Sequence, residues 1–119
     1  ISEKIAQNQN CHALITGESV GQVASQTIYA LGCTDAVTNM PVFRPCIGMD
    51  KDEIVAISRK IDTFETSIQP YEDCCTVFTP KHPKTRAKIE DVEKAEQALK
   101  NADEMIERAV ENARKTVIK

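Results

Sequence analysis

Apolar positions along this chain alternate between short runs and helical stripes. Ile1, Ile5 and Ala6 fit the end of a helix, and the polar stretch from Gln7 to Asn10 stops it. "CHALIT" (11–16) is a short apolar run and predicts a buried strand, with "GES" following as a turn. Ser19 and Gln22 have the spacing of a capping box, in which each side chain satisfies a free amide at a helix start. That spacing predicts a helix from Val20 to about Leu31, ending near Gly32. "CTDAVTNM" reads as loop with one short element, and "PVFRPCI" (41–47) as a second short strand with Pro on both sides of its core. Asp50 then opens a helix, with Glu53 as its reciprocal cap and Ile54, Ile57 and Ile61 on one face. Residues 62–87 hold Pro70, Pro80 and Pro83 and little periodicity, and read mostly as loop. A loop that long, with thiols and basic groups, points to function or a bound partner. From Ile89 a stripe of Val92, Ala95, Leu99, Ala102, Ile106, Ala109 or Val110, and Ala113 is helical. Asp103 offers a second cap, so the stripe predicts one long helix or a pair broken near 100–103. "TVIK" closes the chain as a candidate short strand.

Strands alternating with helices predict an α/β fold with a parallel sheet. With 119 residues the chain suits one domain or a piece of a larger one, and it begins without Met in what reads as the back of a helix. A fragment is therefore expected. The 41% of hydrophobic residues can build a modest core, and 4% aromatics make it one of Ile, Val, Leu and Ala. A net charge of -3 argues against a whole-chain electrostatic nucleic-acid binder. The local distribution differs, because residues 81–88 carry Lys81, Lys84, Arg86 and Lys88, with His82 and no acid. Five cysteines, an odd count without a spacing framework, point to a reducing compartment, the cytoplasm. No apolar run reaches the length of a membrane span.

Three segments carry candidate chemistry. "TGES" (16–19) follows a strand, where ligands of open α/β sheets sit, and Gly17 lets a backbone approach a nucleotide closely. On the tetrapeptide alone an ordinary tight turn is the better explanation. Gln26, nine residues beyond Gly17, falls inside the expected helix as a surface residue. Cys74 and Cys75 are adjacent, which strains a mutual disulfide, and they lack the C-x-x-C spacing of zinc sites. A thiolate needs nearby positive charge, which the basic island after them supplies if the loop folds back, while Glu72 and Asp73 oppose it. The island itself fits a phosphate clamp or a solvated loop, and it lacks aromatics for base stacking.

Together "ALITGESVGQVASQT", "PVFRPCIGMDKDEIVAISRKI" and "PYEDCCTVFTPKHPKTR" resemble the tRNA 4-thiouridine synthetase family, also called tRNA or thiamine-biosynthesis sulfurtransferases. The likeness covers residues 1–95 in register. It implies the carboxy-terminal half of a PP-loop ATP pyrophosphatase domain, with an adenine-nucleotide α-hydrolase-like partial parallel sheet and a long C-terminal helix or helix pair. It further implies that ATP, with Mg2+, adenylates a tRNA uridine and that a cysteine desulfurase supplies persulfide sulfur. The products are 4-thiouridine and, by the same sulfur supply, the thiazole of thiamine. By position, Gly17 and Gln26 would contact ATP. Cys75 matches the family's essential cysteine, with Cys74 one residue away as its rival. Lys81, Lys84 and Arg86 would meet tRNA phosphate or stabilise the thiolate. A second redox cysteine is not assigned, with Cys11, Cys33 and Cys46 as candidates. The chain lacks the Ser-Gly-Gly-x-Asp-Ser phosphate loop and the tRNA-binding domains, so it is expected to be inactive alone. The competing reading is a non-catalytic nucleotide-fold module that dimerises through an exposed sheet edge and its C-terminal helix.

Overall fold

A computed structural model of the chain describes residues 1–22, 26–71 and 84–118. Its elements, in chain order, are α1 (Ser2–Asn8), β1 (Leu14–Ile15), α2 (Ile28–Asp35), β2 (Val42–Phe43), α3 (Lys51–Lys60), α4 (Phe64–Ser67), α5 (Ile89–Glu96) and α6 (Ala102–Glu111). The two strands pair in parallel, Leu14 opposite Val42 and Ile15 opposite Phe43, joined by a crossover containing α2. The chain is thus α/β, as the alternation of short runs and stripes predicts.

Paired residues of parallel strands point to the same face. Leu14 and Val42 share the half-buried face, and α1 packs against β1. Ile15 and Phe43 share the other face, 75% and 59% exposed. Parallel sheets are ordinarily covered on both faces, and their strands read as continuous apolar runs for that reason. These strands have that sequence and one bare face. Among the described residues the buried apolar side chains are Ala6 and Leu31 only.

Helix ends follow local chemistry. The Asp50–Glu53 capping box forms as expected, each side chain accepting the other's backbone N–H, at 2.9 Å to Asp50 and 2.8 Å to Glu53. Asn10, beyond α1, and Asp62, beyond α3, take left-handed backbone (both φ 56°), which short polar side chains tolerate. Arg59 lies over the Phe64 ring at 4.5 Å and links α3 to α4.

Several expectations need correction. The helix expected from Val20 starts instead at Ile28, so Gln26 lies before it and not within it. Gly21 has φ +83°, outside helical space, and Thr27 is the actual cap, accepting from Ala30 N–H at 3.2 Å. Residues 62–87 contain the short α4. The apolar stripe from Ile89 is a helix pair, broken at residues 97–101, and Asn101, not Asp103, precedes the second helix. "TVIK" forms no strand over its described residues 116–118. Among the described residues no helix is long and apolar enough to cross a membrane.

Candidate functional site

The carboxyl ends of β1 and β2 lie side by side, and each runs into a loop, residues 16–22 and 44–50. Thr16 N–H donates to the Phe43 carbonyl at 3.0 Å, extending the ladder by one bond. Beyond it, side chains take over. Thr16 Oγ1 donates to Glu18 Oε2 at 2.7 Å, and Arg44 Nε donates to the same oxygen at 2.8 Å. Arg44 Nη2 reaches Asp35 Oδ1, at the last residue of α2, at 2.5 Å. Both carboxylates raise the Arg44 pKa above its ordinary value, the Glu18 hydrogen bond foremost.

Ser19 is the most buried polar residue described, 2% exposed. Its hydroxyl donates to the Met49 carbonyl at 2.7 Å, which explains why it does not cap a helix. Gln22 Nε2 donates to that carbonyl too, at 3.3 Å, and Val20 N–H donates to the Ile47 carbonyl at 3.0 Å. The two loops are therefore sewn into one unit. Gln26 folds back on it: its Oε1 accepts from Ser19 N–H and its backbone carbonyl from Gly21 N–H, each at 3.0 Å. The remaining side-chain amide hydrogens of Gln26 can still donate.

Gly17 sits at the crest of this unit with nothing within 4 Å of the place a Cβ would occupy. Among the described residues none therefore demands glycine here by steric contact. Helix α2 adds a further link, because Thr27 Oγ1 donates to the Thr85 carbonyl at 2.8 Å. Thr85 lies between Lys84 and Arg86, so the basic segment is moored at the start of α2, next to Gln26. Of the residues singled out from sequence, Gln26 is bonded to the Gly17–Gly21 turn through Ser19 and Gly21, while Lys84 and Arg86 flank Thr85, which bonds Thr27. Cys74, Cys75 and Lys81 lie outside the described residues.

Lys84 donates to Asp91 Oδ2 at 2.6 Å, so a phosphate would have to compete with that carboxylate. The same bond, and then the charge of Lys84, hold Asp91 below the usual carboxylate range. A carboxyl with a lowered folded pKa stabilises the fold at pH above its unfolded value, about 3.9, and loses that contribution as pH falls through its folded pKa. Lys84→Met is therefore expected to raise the Asp91 midpoint toward the ordinary value in an NMR titration. An unmoved midpoint would mean that Lys84 does not hold Asp91 in solution.

Sequence reasoning missed the Arg44–Glu18–Asp35 bridge and the Thr27–Thr85 mooring. The strand register carried a signal for the first, since continuing it places Arg44 opposite Thr16, two residues from Glu18. No local signal marks the second, which spans 58 residues of sequence.

The chain matches a family model described as thiamine biosynthesis protein (ThiI) over residues 1–101. It is 61% identical over 112 residues to a "Probable tRNA sulfurtransferase" of Acetivibrio thermocellus, covering 94% of this chain and 28% of that protein. A protein of the same description from Lachnoclostridium phytofermentans is 52% identical, with 100% of this chain and 31% of the relative covered. Among solved structures, a 4-thiouridine synthetase in complex with RNA and bound ATP superposes with a TM-score of 0.91 at 43% identity, over 99% of this chain and 31% of that one. The chain thus spans about a third or less of the length of these proteins.

Proposed function

The chain belongs to the thiamine biosynthesis protein (ThiI) family, and from that premise we propose that it is the carboxy-terminal half of a PP-loop ATP pyrophosphatase domain serving tRNA sulfur transfer. In this reading the longer protein uses ATP, with Mg2+ on its phosphates, to adenylate a uridine carbonyl oxygen, releasing pyrophosphate. A persulfide sulfur, delivered by a cysteine desulfurase to Cys75, attacks the activated carbon, and AMP leaves with the oxygen. A second thiol then frees the sulfur by forming a disulfide, which an external thiol reductant reopens. The product is 4-thiouridine, and the same sulfur supply serves the thiamine thiazole. The cytoplasm, a reducing compartment, suits this chemistry.

The observation that carries the reading is the Gly17 crest: a rigidly braced turn at the carboxyl end of a parallel strand, open where a Cβ would stand. Gln26, brought onto that turn, offers amide hydrogens to the same ligand. Lys84 and Arg86, and Lys81 in the adjoining segment, are assigned to tRNA phosphates. The bare Ile15–Phe43 face is assigned to a covering layer of helices from the other half of the same domain in the longer protein. That assignment is preferred to a dimerising module, because it covers the face and supplies the missing phosphate loop together. A homodimer of the longer protein is compatible with it.

The test is Gly17→Ala in a full-length sulfurtransferase that carries this chain. Nothing among the described residues opposes the added methyl, so the melting temperature should hold. A methyl group in the path of a nucleotide should raise the KM for ATP by about tenfold or more, the loss expected for overpacking a fitted contact. An unchanged KM would remove ATP from this turn.

A further inference from the structure

Residues 17–19 lie between two backbone anchors, Thr16 N–H on Phe43 and Val20 N–H on Ile47. Gly17 is conformationally permissive and its Cβ position touches nothing, so the residue cannot hold its own peptide in place. Its shape is set by its neighbours. Ser19 is fixed from one side by Met49 and Gln26. On the other side Glu18 is fixed by Thr16 and by Arg44, whose side chain is 14% exposed. The guanidinium is planar and presents its donors in a fixed fork. Here Nε takes the turn and Nη2 the end of α2.

Resting on the nucleotide reading above, we propose that Arg44 is a positioning residue for ATP, acting through Glu18 to hold the Thr16–Ser19 turn in its binding shape. Arg44 also offsets the charge of a carboxylate that would otherwise stand uncompensated beside a polyanionic ligand. The arm to Asp35 is secondary: that carboxylate is 54% exposed and braces the guanidinium from outside the turn.

The test uses a full-length sulfurtransferase carrying this chain, with ATP KM, kcat and melting temperature measured for Arg44→Met, Glu18→Gln, Asp35→Asn and the Arg44→Met/Glu18→Gln double variant. Arg44→Met and Glu18→Gln should each raise the KM for ATP about tenfold, the loss that goes with one charge-assisted hydrogen bond. kcat should change less than about threefold, since the interaction acts on binding and not on the transition state alone. The double variant should be no worse than the poorer single, because both cut one link. Asp35→Asn should stay within about twofold, as for an exposed pair. Arg44→Lys, which can keep one contact, should recover part of the KM and guards against a folding defect in Arg44→Met.

An Arg44→Met KM equal to the parent's, alongside a raised KM for Gly17→Ala, would overturn the positioning role while leaving the nucleotide reading intact. So would an Asp35→Asn effect as large as that of Glu18→Gln, which would make Arg44 a general brace. If Gly17→Ala itself leaves the KM unchanged, the nucleotide reading falls and this inference with it.

Discussion

Cys75→Ser, in a full-length sulfurtransferase carrying this chain, is expected to abolish 4-thiouridine in cellular tRNA, while Cys74→Ser leaves most of it. Serine differs from cysteine by one atom, and that atom is the chemistry. A hydroxyl cannot accept a sulfane sulfur to form a persulfide, and at neutral pH it is a far weaker nucleophile than a thiolate. Loss of a nucleophile typically costs about 10³-fold or more, so the modified base should fall below detection. The adjacent thiol is not expected to substitute, because sulfur transfer needs the thiol at one fixed position relative to the activated carbon. ATP binding by Cys75→Ser should be unaffected, which separates loss of chemistry from loss of the nucleotide site. The reverse pattern, with Cys74 essential and Cys75 dispensable, would shift the reacting position by one residue and keep the mechanism. Retention of the base in both variants would take sulfur transfer away from this thiol pair.

What could be read from the sequence, and what could not, divides along a physical line. The Asp50–Glu53 box was legible because both partners lie within one helical turn and the chemistry is local. The same reasoning failed at Ser19 and Gln22, which have a similar spacing and the same residue classes. There both side chains go to the Met49 carbonyl, 30 and 27 residues away in sequence. A capping pattern reports that two side chains seek backbone partners; it does not report that nearer tertiary partners exist. Gly21 was the overlooked warning, since a glycine two residues inside a supposed helix start marks a turn of positive φ. The error had a consequence for the site. Placing Gln26 in the helix made it a surface residue, whereas placing it ahead of α2 lets it fold onto the Gly17 turn. The strands were legible as short apolar runs, but their ordered pairing is only two residues each, because beyond Thr16 the loops leave the ladder to bond one another. Burial was the least legible property. Apolar periodicity shows which face is made to be covered and says nothing about whether the covering residues are in the same chain.

That last point fixes the behaviour expected of residues 1–119 produced alone. The isolated chain should bind an apolar dye, unfold without a sharp transition, and show a Kd for ATP above about 1 mM, equivalent to less than about 4 kcal/mol of binding. Two-stranded sheets are marginal in water without further strands or a packed helix. Here one face of the pair is bare: Ile15 and Phe43 stand 75% and 59% exposed, side by side. Burying such a side chain contributes about 1.5–3 kcal/mol, so the two leave about 3–6 kcal/mol unrealised. Whole domains are stable by only about 5–15 kcal/mol, so a deficit of that size decides whether the fold persists. The Gly17 turn, proposed above for the nucleotide, inherits the weakness, because it is held through the two loops that leave these strands. In the full-length protein the same residues should become protected from solvent, with slow amide exchange at Leu14, Ile15, Val42 and Phe43. Hydrogen exchange on both species is the measurement. Fast exchange alone and slow exchange in the longer protein is the expected pair of results. Equal protection in the two, with cooperative melting and ATP binding at micromolar Kd by the isolated chain, would make residues 1–119 a self-sufficient nucleotide module and would overturn the assignment of half a domain.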